Sequence, residues 1–276
     1  MKDPIRIITE VNRLINRRGN LNSHNKDGVD IFSKDWDYLI LLDACRYDAF
    51  SEHVDLPGEL ESQTSKGSSS VEFIHGNFAD RELHDVVYVT ANPWFERLVD
   101  SINASVHGHI YCDFEPDNVT SAVLDAAEEY PNKRILVHYM QPHFPYLRAD
   151  ADKFHTGGDL QTTFRETDVT RSEMWDAYLD NLDLVTGEVT RLFKELQGRF
   201  VVSADHGELF GEREAPIPNR RYGHPRGIYV DKLVKVPWLT YESGSRRRIV
   251  AEPPVETESV ADSRVTEDLR DLGYVA

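Results

Sequence analysis

Four short apolar runs, "DYLILLD" (37–43), "DVVYVTA" (85–91), "RILVHYM" (134–140) and "RFVVSAD" (199–205), constrain the fold more than any other feature of the chain. Each is continuous rather than alternating and rich in β-branched or aromatic residues, the pattern of a strand covered on both faces. Helical patterns near 46–53, 70–78, 93–104, 117–129 and 171–197 fall between them. This alternation predicts an α/β fold: a three-layer sandwich with a mainly parallel central sheet and helices on both faces. Ligands of such a sheet gather at the carboxyl ends of its strands.

The chain has 276 residues, enough to bury a full core, and no linker divides it, so one domain over 1–276 is expected. Residues 1–34 read as an N-terminal helical extension and 243–276 as an extended tail with a short helix. The stretch 144–170, rich in Asp, Thr and Gly, is expected to form a long loop over the sheet edge. "SGSRRRIVAEPPVETESVADS" (243–263) is too polar and Pro-rich for the core and is expected to be extended and partly mobile. In "VTEDLRDLGYV", Val265, Leu269 and Leu272 have the spacing of a docked helix.

The N-terminal "MKDPIRIITEVNRLINRRG" places Ile7, Ile8, Val11, Leu14 and Ile15 on one side of a helix and basic residues on the other. Its apolar side either packs on the domain or makes peripheral membrane contact. It lacks the apolar block of a secretion signal, and no run approaches the roughly 20 residues of a transmembrane span. Two cysteines, Cys45 and Cys112, build no disulfide framework, which fits a reducing, cytoplasmic location. A net charge of −17 argues against nucleic acid as a partner and against docking of the chain as a whole to anionic lipid. The acid is evenly spread and Arg outnumbers Lys, a balance that suits a halophilic protein.

The chemistry concentrates at strand ends. Asp43 closes the first run, and Asp205 with His206 closes the last. If those strands are near neighbours, two carboxylates and an imidazole converge and need a counter-charge, for which a divalent cation is suited. Taken singly, either aspartate could equally be a helix cap or turn former. His224, in "RRYGHPRG", is held in a Gly/Pro turn, and His143, in "VHYMQPHFPY", lies on the loop side of its strand, where it could reach an anionic substrate. His138, inside the same strand, reads as a hydrogen-bonded core residue. A nucleophile is sought near a helix N-terminus, where N–H groups and the dipole favour an anion. "TSKGSSSVEF" offers Ser68, Ser69 and Ser70 there, with Ser69 and Glu72 also spaced as a capping box. Arg46 could hold substrate oxygens or pair with Asp48; Lys66 is a further candidate cation.

The order of these pieces, "DWDYLILLDACRYDAF", a serine at a helix start, "VHYMQPHFPY", "SADHG" and "YGHPRG", resembles the alkaline phosphatase and sulfatase superfamily. It is most similar to its haloarchaeal sulfatase-like hydrolases and transferases, over about residues 35–240 and again in a "DLGYV" tail. The resemblance implies an alkaline phosphatase-like fold and a metal held by Asp43, Ser70, Asp205 and His206. It further implies that Ser70 is the nucleophile and that His143 and His224 bind either a second metal or the substrate anion. The donor set suits Zn or Mn, with Mg or Ca possible. The substrate it implies is an anionic phosphate or sulfate ester, on a small molecule or linked to a glycan or lipid. A member that has lost catalysis would only bind an anionic glycan or lipid headgroup. Neither Ser70, followed by Val71, Glu72 and Phe73, nor Cys45, followed by Arg46, Tyr47 and Asp48, lies in the C/S-x-P-x-R motif of formylglycine sulfatases, so an unmodified serine is expected. The Asp-x-x-x-His segment of two-zinc members is not evident, and Asp152 with His155 has the wrong spacing, so one tightly held metal is expected.

Overall fold

The structure, a computed structural model, describes residues 4–19, 21–148, 151–154, 159–255 and 261–271. In chain order its elements are α1 (Pro4–Asn16), a 3-10 turn (Ile31–Ser33), β1 (Tyr38–Leu42), α2 (Tyr47–His53), β2 (Glu59–Thr64), α3 (Ser70–Phe78), β3 (Glu82–Thr90), α4 (Trp94–Leu98), β4 (Ser105–Tyr111) and α5 (Pro116–Glu129). There follow β5 (Arg134–Tyr139), α6 (Ala151–Phe154), α7 (Leu160–Glu166), α8 (Arg171–Glu195), β6 (Gly198–Ser203), β7 (Leu209–Arg213), β8 (Arg220–Gly223), α9 (Asp231–Val234), β9 (Lys235–Ser243) and α10 (Asp262–Asp271).

Seven strands form one sheet in the order β2-β9-β6-β1-β5-β3-β4, in which β9 alone among the described strands runs against the others. The four apolar runs become β6, β1, β5 and β3, side by side at its centre. All five residues of β1 are buried, and at about 1.5–3 kcal/mol per large apolar side chain their burial is worth on the order of 10 kcal/mol before chain entropy is counted. One face of the sheet, with Ile40, Leu42, Val87, Val137 and Tyr139, packs under α5 and α8. The other, with Leu39, Leu41, Tyr88 and Leu136, packs against Phe73, Ile74 and Phe78 of α3 and Phe95 of α4. The expected three layers are thus present. In α8 the stripe Met174, Tyr178, Leu182, Val185, Val189 and Leu192 is buried, and Thr170 and Glu173 close its start as a reciprocal capping box.

Several sequence expectations need correction. The helix expected over 93–104 ends at Leu98, and the chain turns back through Asn103 at φ +50° to enter β4. The region 144–170 is not one long loop: α6 and α7 form within it, and Tyr146, Phe154, Leu160 and Val169 join the core. His155 lies outside the described residues, as does Leu272 at the end of the last helix; Val265 and Leu269 are buried as expected. Residues 244–255 are extended but tied down across the amino ends of the strands. There Val250 and Glu252 donate backbone N–H groups to Asn132 and His84, Arg246 pairs with Asp35 and Asp37, and buried Lys133 donates to Val250 O.

The N-terminal helix departs furthest from the plain expectation that its apolar side packs inward. α1 docks through its polar side: Thr9 Oγ1 and Asn12 Nδ2 donate to the buried carboxylate of Glu214 at 2.7 and 3.0 Å, and Asn16 Nδ2 donates to Gly227 O at 3.0 Å. Ile7, Val11, Leu14 and Ile15 remain 38–51% exposed. The buried carboxylate decides the orientation, because its desolvation must be offset by donors that only this side carries.

Candidate active site

β1 and β6 are hydrogen-bonded neighbours in parallel register, which brings Asp43 and Asp205 to one edge of the sheet, both fully buried. Asp43 Oδ2 accepts from Asn92 Nδ2 at 2.7 Å and from Ser70 Oγ at 3.3 Å. Asp205 Oδ1 accepts from the backbone N–H groups of Ala44 at 3.1 Å and His206 at 2.8 Å. The other oxygen of each, Asp43 Oδ1 and Asp205 Oδ2, has no hydrogen-bond donor. His206 Nε2 stands 3.6 Å from the first and 3.3 Å from the second. Its Nδ1 is 2.8 Å from the Gly207 carbonyl, which can only accept, so the neutral ring carries its proton there and turns the Nε2 lone pair inward. Two buried carboxylate oxygens that have no hydrogen-bond donor among the described residues, with an imidazole nitrogen, all within 4.8 Å of one another, fit a divalent cation.

The surrounding backbone is built to hold this geometry. Ala44 adopts φ +59°, and Tyr178 pins the turn by donating to Ala44 O and accepting from Arg46 N, both at 2.9 Å. Gly207 is required because a Cβ there would sit 2.2 Å from the Lys232 carbonyl oxygen. Burial raises the pKa of Asp43, but the imidazoles of His138, His143 and His206 outweigh it and hold the carboxyl below its usual range.

Ser70 opens α3, and its Oγ lies 3.3 Å from both Asp43 Oδ2 and His206 Nε2. The turn before it needs glycine: a Cβ on Gly67 would meet Phe73 N at 2.5 Å. The expected capping box between Ser69 and Glu72 does not form. Glu72 instead accepts from the Ser68 N–H and hydroxyl and from the Gly227 N–H, leaving the Ser69 hydroxyl buried without a partner. Ser68 donates to Pro225 O, so among the three serines Ser70 alone touches the carboxylate and imidazole pair.

A second group sits beside the first. His143, Glu208 and His224 place ligand atoms within 4.8 Å of one another, and the His224 ring lies 4.5 Å from that of His206 and 4.9 Å from that of His143. Burial lowers the pKa of His224, but the Glu208 carboxylate 3.3 Å away prevails and raises it; His143, with burial dominant, is lowered. The expectation of one metal rests on a missing Asp-x-x-x-His segment; Glu208, with His143 and His224, forms a second group that could hold a cation. Glu208 was legible only as the last letter of "ADHGE". His138 also exceeds its expected core role: Nδ1 meets Tyr88 Oη at 2.8 Å, while Nε2, without a hydrogen-bond partner, points at Asp43 and Asp205 from 3.6 and 3.7 Å.

A cavity of about 290 Å³ opens over the second group and meets the first through Ser70; it is lined among others by Ser69, Ser70, Trp94, His143, Glu208 and His224. Its cations are Arg221 and Arg226, from the same "RRYGHPRG" segment as His224. Neither cation expected from the sequence contributes. Arg46 lines a different hollow, its guanidinium paired with Asp48 at 2.7 Å and Glu212 at 3.0 Å and lying 4.8 Å from the Trp175 ring, so its proposed contact with substrate oxygens is replaced by a structural one. Lys66 donates to Gly76 O at 2.8 Å and braces α3. Cys45 and Cys112 are both free thiols.

No family model and no curated protein matches the chain. Among solved structures it is similar to the integral membrane protein lipooligosaccharide phosphoethanolamine transferase A (EptA) of Neisseria meningitidis, with a TM-score of 0.52 at 14% identity, covering 75% of this chain and 47% of that one. The C-terminal periplasmic domain of phosphoethanolamine transferase EptC of Campylobacter jejuni gives 0.49 at 15% identity, covering 74% and 78%. A protein in the alkaline phosphatase superfamily from Vibrio parahaemolyticus gives 0.42 at 12%, covering 99% and 76%. The chain thus spans about half the length of the first of these proteins. At such low identity the likeness concerns architecture: the chain has an α/β fold with a mostly parallel seven-stranded sheet, similar to that of the Neisseria meningitidis protein.

Proposed function

We propose that this protein is a metal-dependent hydrolase or transferase of phosphate or sulfate esters with Ser70 as its nucleophile. The observation that carries the proposal is the position of Ser70 Oγ, 3.3 Å from both Asp43 Oδ2 and His206 Nε2, at the head of α3 and on the wall of the cavity. Asp43, Asp205 and His206 would hold the cation, with His138 Nε2 facing the same two carboxylates. A bound divalent ion there lowers the pKa of the serine hydroxyl and offsets charge on the ester oxygens; Zn or Mn suits the mixed donors.

The chain's own groups supply the rest. Ser70 Oγ, its proton given up to solvent, forms a bond to phosphorus or sulfur as the bond to the ester oxygen breaks. His224, whose Nδ1 lies 3.3 Å from Glu208, would when protonated give its Nε2 proton to the departing alkoxide. Arg221, Arg226, His143 and the Ser69 hydroxyl surround the anion. Water or an acceptor alcohol then cleaves the ester on Ser70 and regenerates the hydroxyl.

The decisive experiment compares Ser70→Ala with the native protein, both loaded with Zn or Mn, on generic phosphate mono- and diesters and sulfate esters. The expected result is loss of turnover by roughly a thousandfold or more with metal binding retained. Equal turnover in a folded, loaded variant would exclude Ser70. Metal binding without turnover by the native protein on any ester would leave a protein that only binds anions.

A further inference from the structure

Seven large hydrophobic side chains stand exposed among the described residues, and four of them, Ile7, Val11, Leu14 and Ile15, lie on α1. The spacing of the four helical residues sets them on a single stripe. A helix on a water-soluble domain ordinarily turns such a stripe inward. Here it cannot roll over, because Thr9 and Asn12 are the donors to buried Glu214 and Asn16 holds Gly227. The apolar stripe is fixed outward.

Charge indicates what covers it. Residues 4–19 carry Arg6, Arg13, Arg17 and Arg18 against Glu10, in a chain whose net charge is −17. Arg13 and Arg17 are ion-paired with Glu10 and Glu72, while Arg6 and Arg18 are exposed near the two ends of the helix. We propose that this face seats on the surface of an anionic lipid bilayer. α1 then lies in the plane of the headgroups, its aliphatic side chains at the acyl boundary and the exposed Arg6 and Arg18 among the lipid anions, a local positive charge on a chain that is acidic overall. A second copy of the chain fits the face less well, since it would set these arginines against their own kind across the contact. No described helix is long and apolar enough to cross a membrane.

The inner side of α1 bonds Gly227 and Glu72, next in the chain to Arg226 and Val71 of the cavity wall, so a seated helix would bring the cavity near the headgroup layer. The docking proposal stands whether or not Ser70 is the nucleophile.

The test is flotation of the full chain with vesicles of phosphatidylcholine containing phosphatidylglycerol, against vesicles of phosphatidylcholine alone. The native protein is expected to float with the anionic vesicles, less so as salt rises. Leu14→Glu/Ile15→Glu is expected to reduce the bound fraction at least about tenfold while thermal unfolding and turnover of a water-soluble ester stay unchanged. Ile7→Ser/Val11→Ser serves as a second variant of the same stripe should the first fail to fold. Native protein that stays in the soluble fraction at low salt, or variants that float equally well, would overturn the proposal. So would a dimer seen by sedimentation velocity that the same substitutions dissolve while no vesicle binding occurs, which would assign the face to a second copy.

Discussion

The two halves of the candidate site are made differently. Asp43, Asp205 and His206 come from the ends of two adjacent central strands, where the register is set by a buried sheet and every neighbouring backbone group is bonded. His143, Glu208 and His224 come from the loop after β5, the segment before β7 and the turn after β8. The first half inherits its precision from the core, whereas the second depends on its own contacts, such as the Asn181 side chain that caps His143 O and Pro145 O. Chemistry that needs fixed charge is placed on the sheet, and chemistry that must meet varied substrates is placed on loops.

Removing a strand-end ligand should have the largest effect and break the first half outright. Asp205→Ala is expected to lose the bound metal by elemental analysis and to lower turnover by roughly a thousandfold or more. Glu208→Gln should touch only the second half: turnover falls by about 10–100-fold because His224 loses its anionic partner, yet the metal at Asp43 and Asp205 stays. If Glu208→Gln also strips that metal, the two halves are one unit and the contrast fails.

Arg46→Met lies outside both halves. Turnover per folded molecule should be unchanged, but Asp48 and Glu212 lose a shared, nearly buried partner. A loss of about 1–3 kcal/mol, discounted because both acids are partly exposed, should appear as a lower Tm. A drop in turnover at full stability would return Arg46 to the substrate.

The smallest effect concerns Glu72, which ties α1 and the His224 segment to the serine turn. Burial raises its pKa, but Arg17 and the N–H groups of Gly227 and Ser68 prevail and lower it. The stability it contributes is therefore complete above the ordinary glutamate range near about 4.3 and is lost as pH falls through the depressed folded value. In Glu72→Gln, thermal unfolding followed from neutral to acid pH should show a flatter decline than in the native protein.

The difference between the halves also explains what could be read in advance. Continuous apolar runs identify buried parallel strands, and a carboxylate at the end of each marks the rim, so Asp43, Asp205 and His206 were legible together. The flanking strands were not: β2 is largely exposed and polar, β4 contains Gly108 and β9 contains Pro237. Glu208, Asn92 and the inward nitrogen of His138 depend on side-chain directions that spacing does not carry. Arg46 failed for the same reason, since Asp48, Glu212 and Trp175 converge on it only after folding. The capping box failed because a buried Glu72 found stronger donors at a distance.

The inward-facing polar side of α1 has a practical consequence for anyone who prepares this protein. Residues 1–30 look dispensable, and a preparer seeking crystals would trim them or fuse an affinity tag close to them. Trimming removes Thr9, Asn12 and Arg17 at one stroke, baring the carboxylates of Glu214 and Glu72 beside the segment that carries His224 and the turn that presents Ser70. A shortened protein that proved inert would then invite a search for a missing cofactor when the missing part was its own first helix.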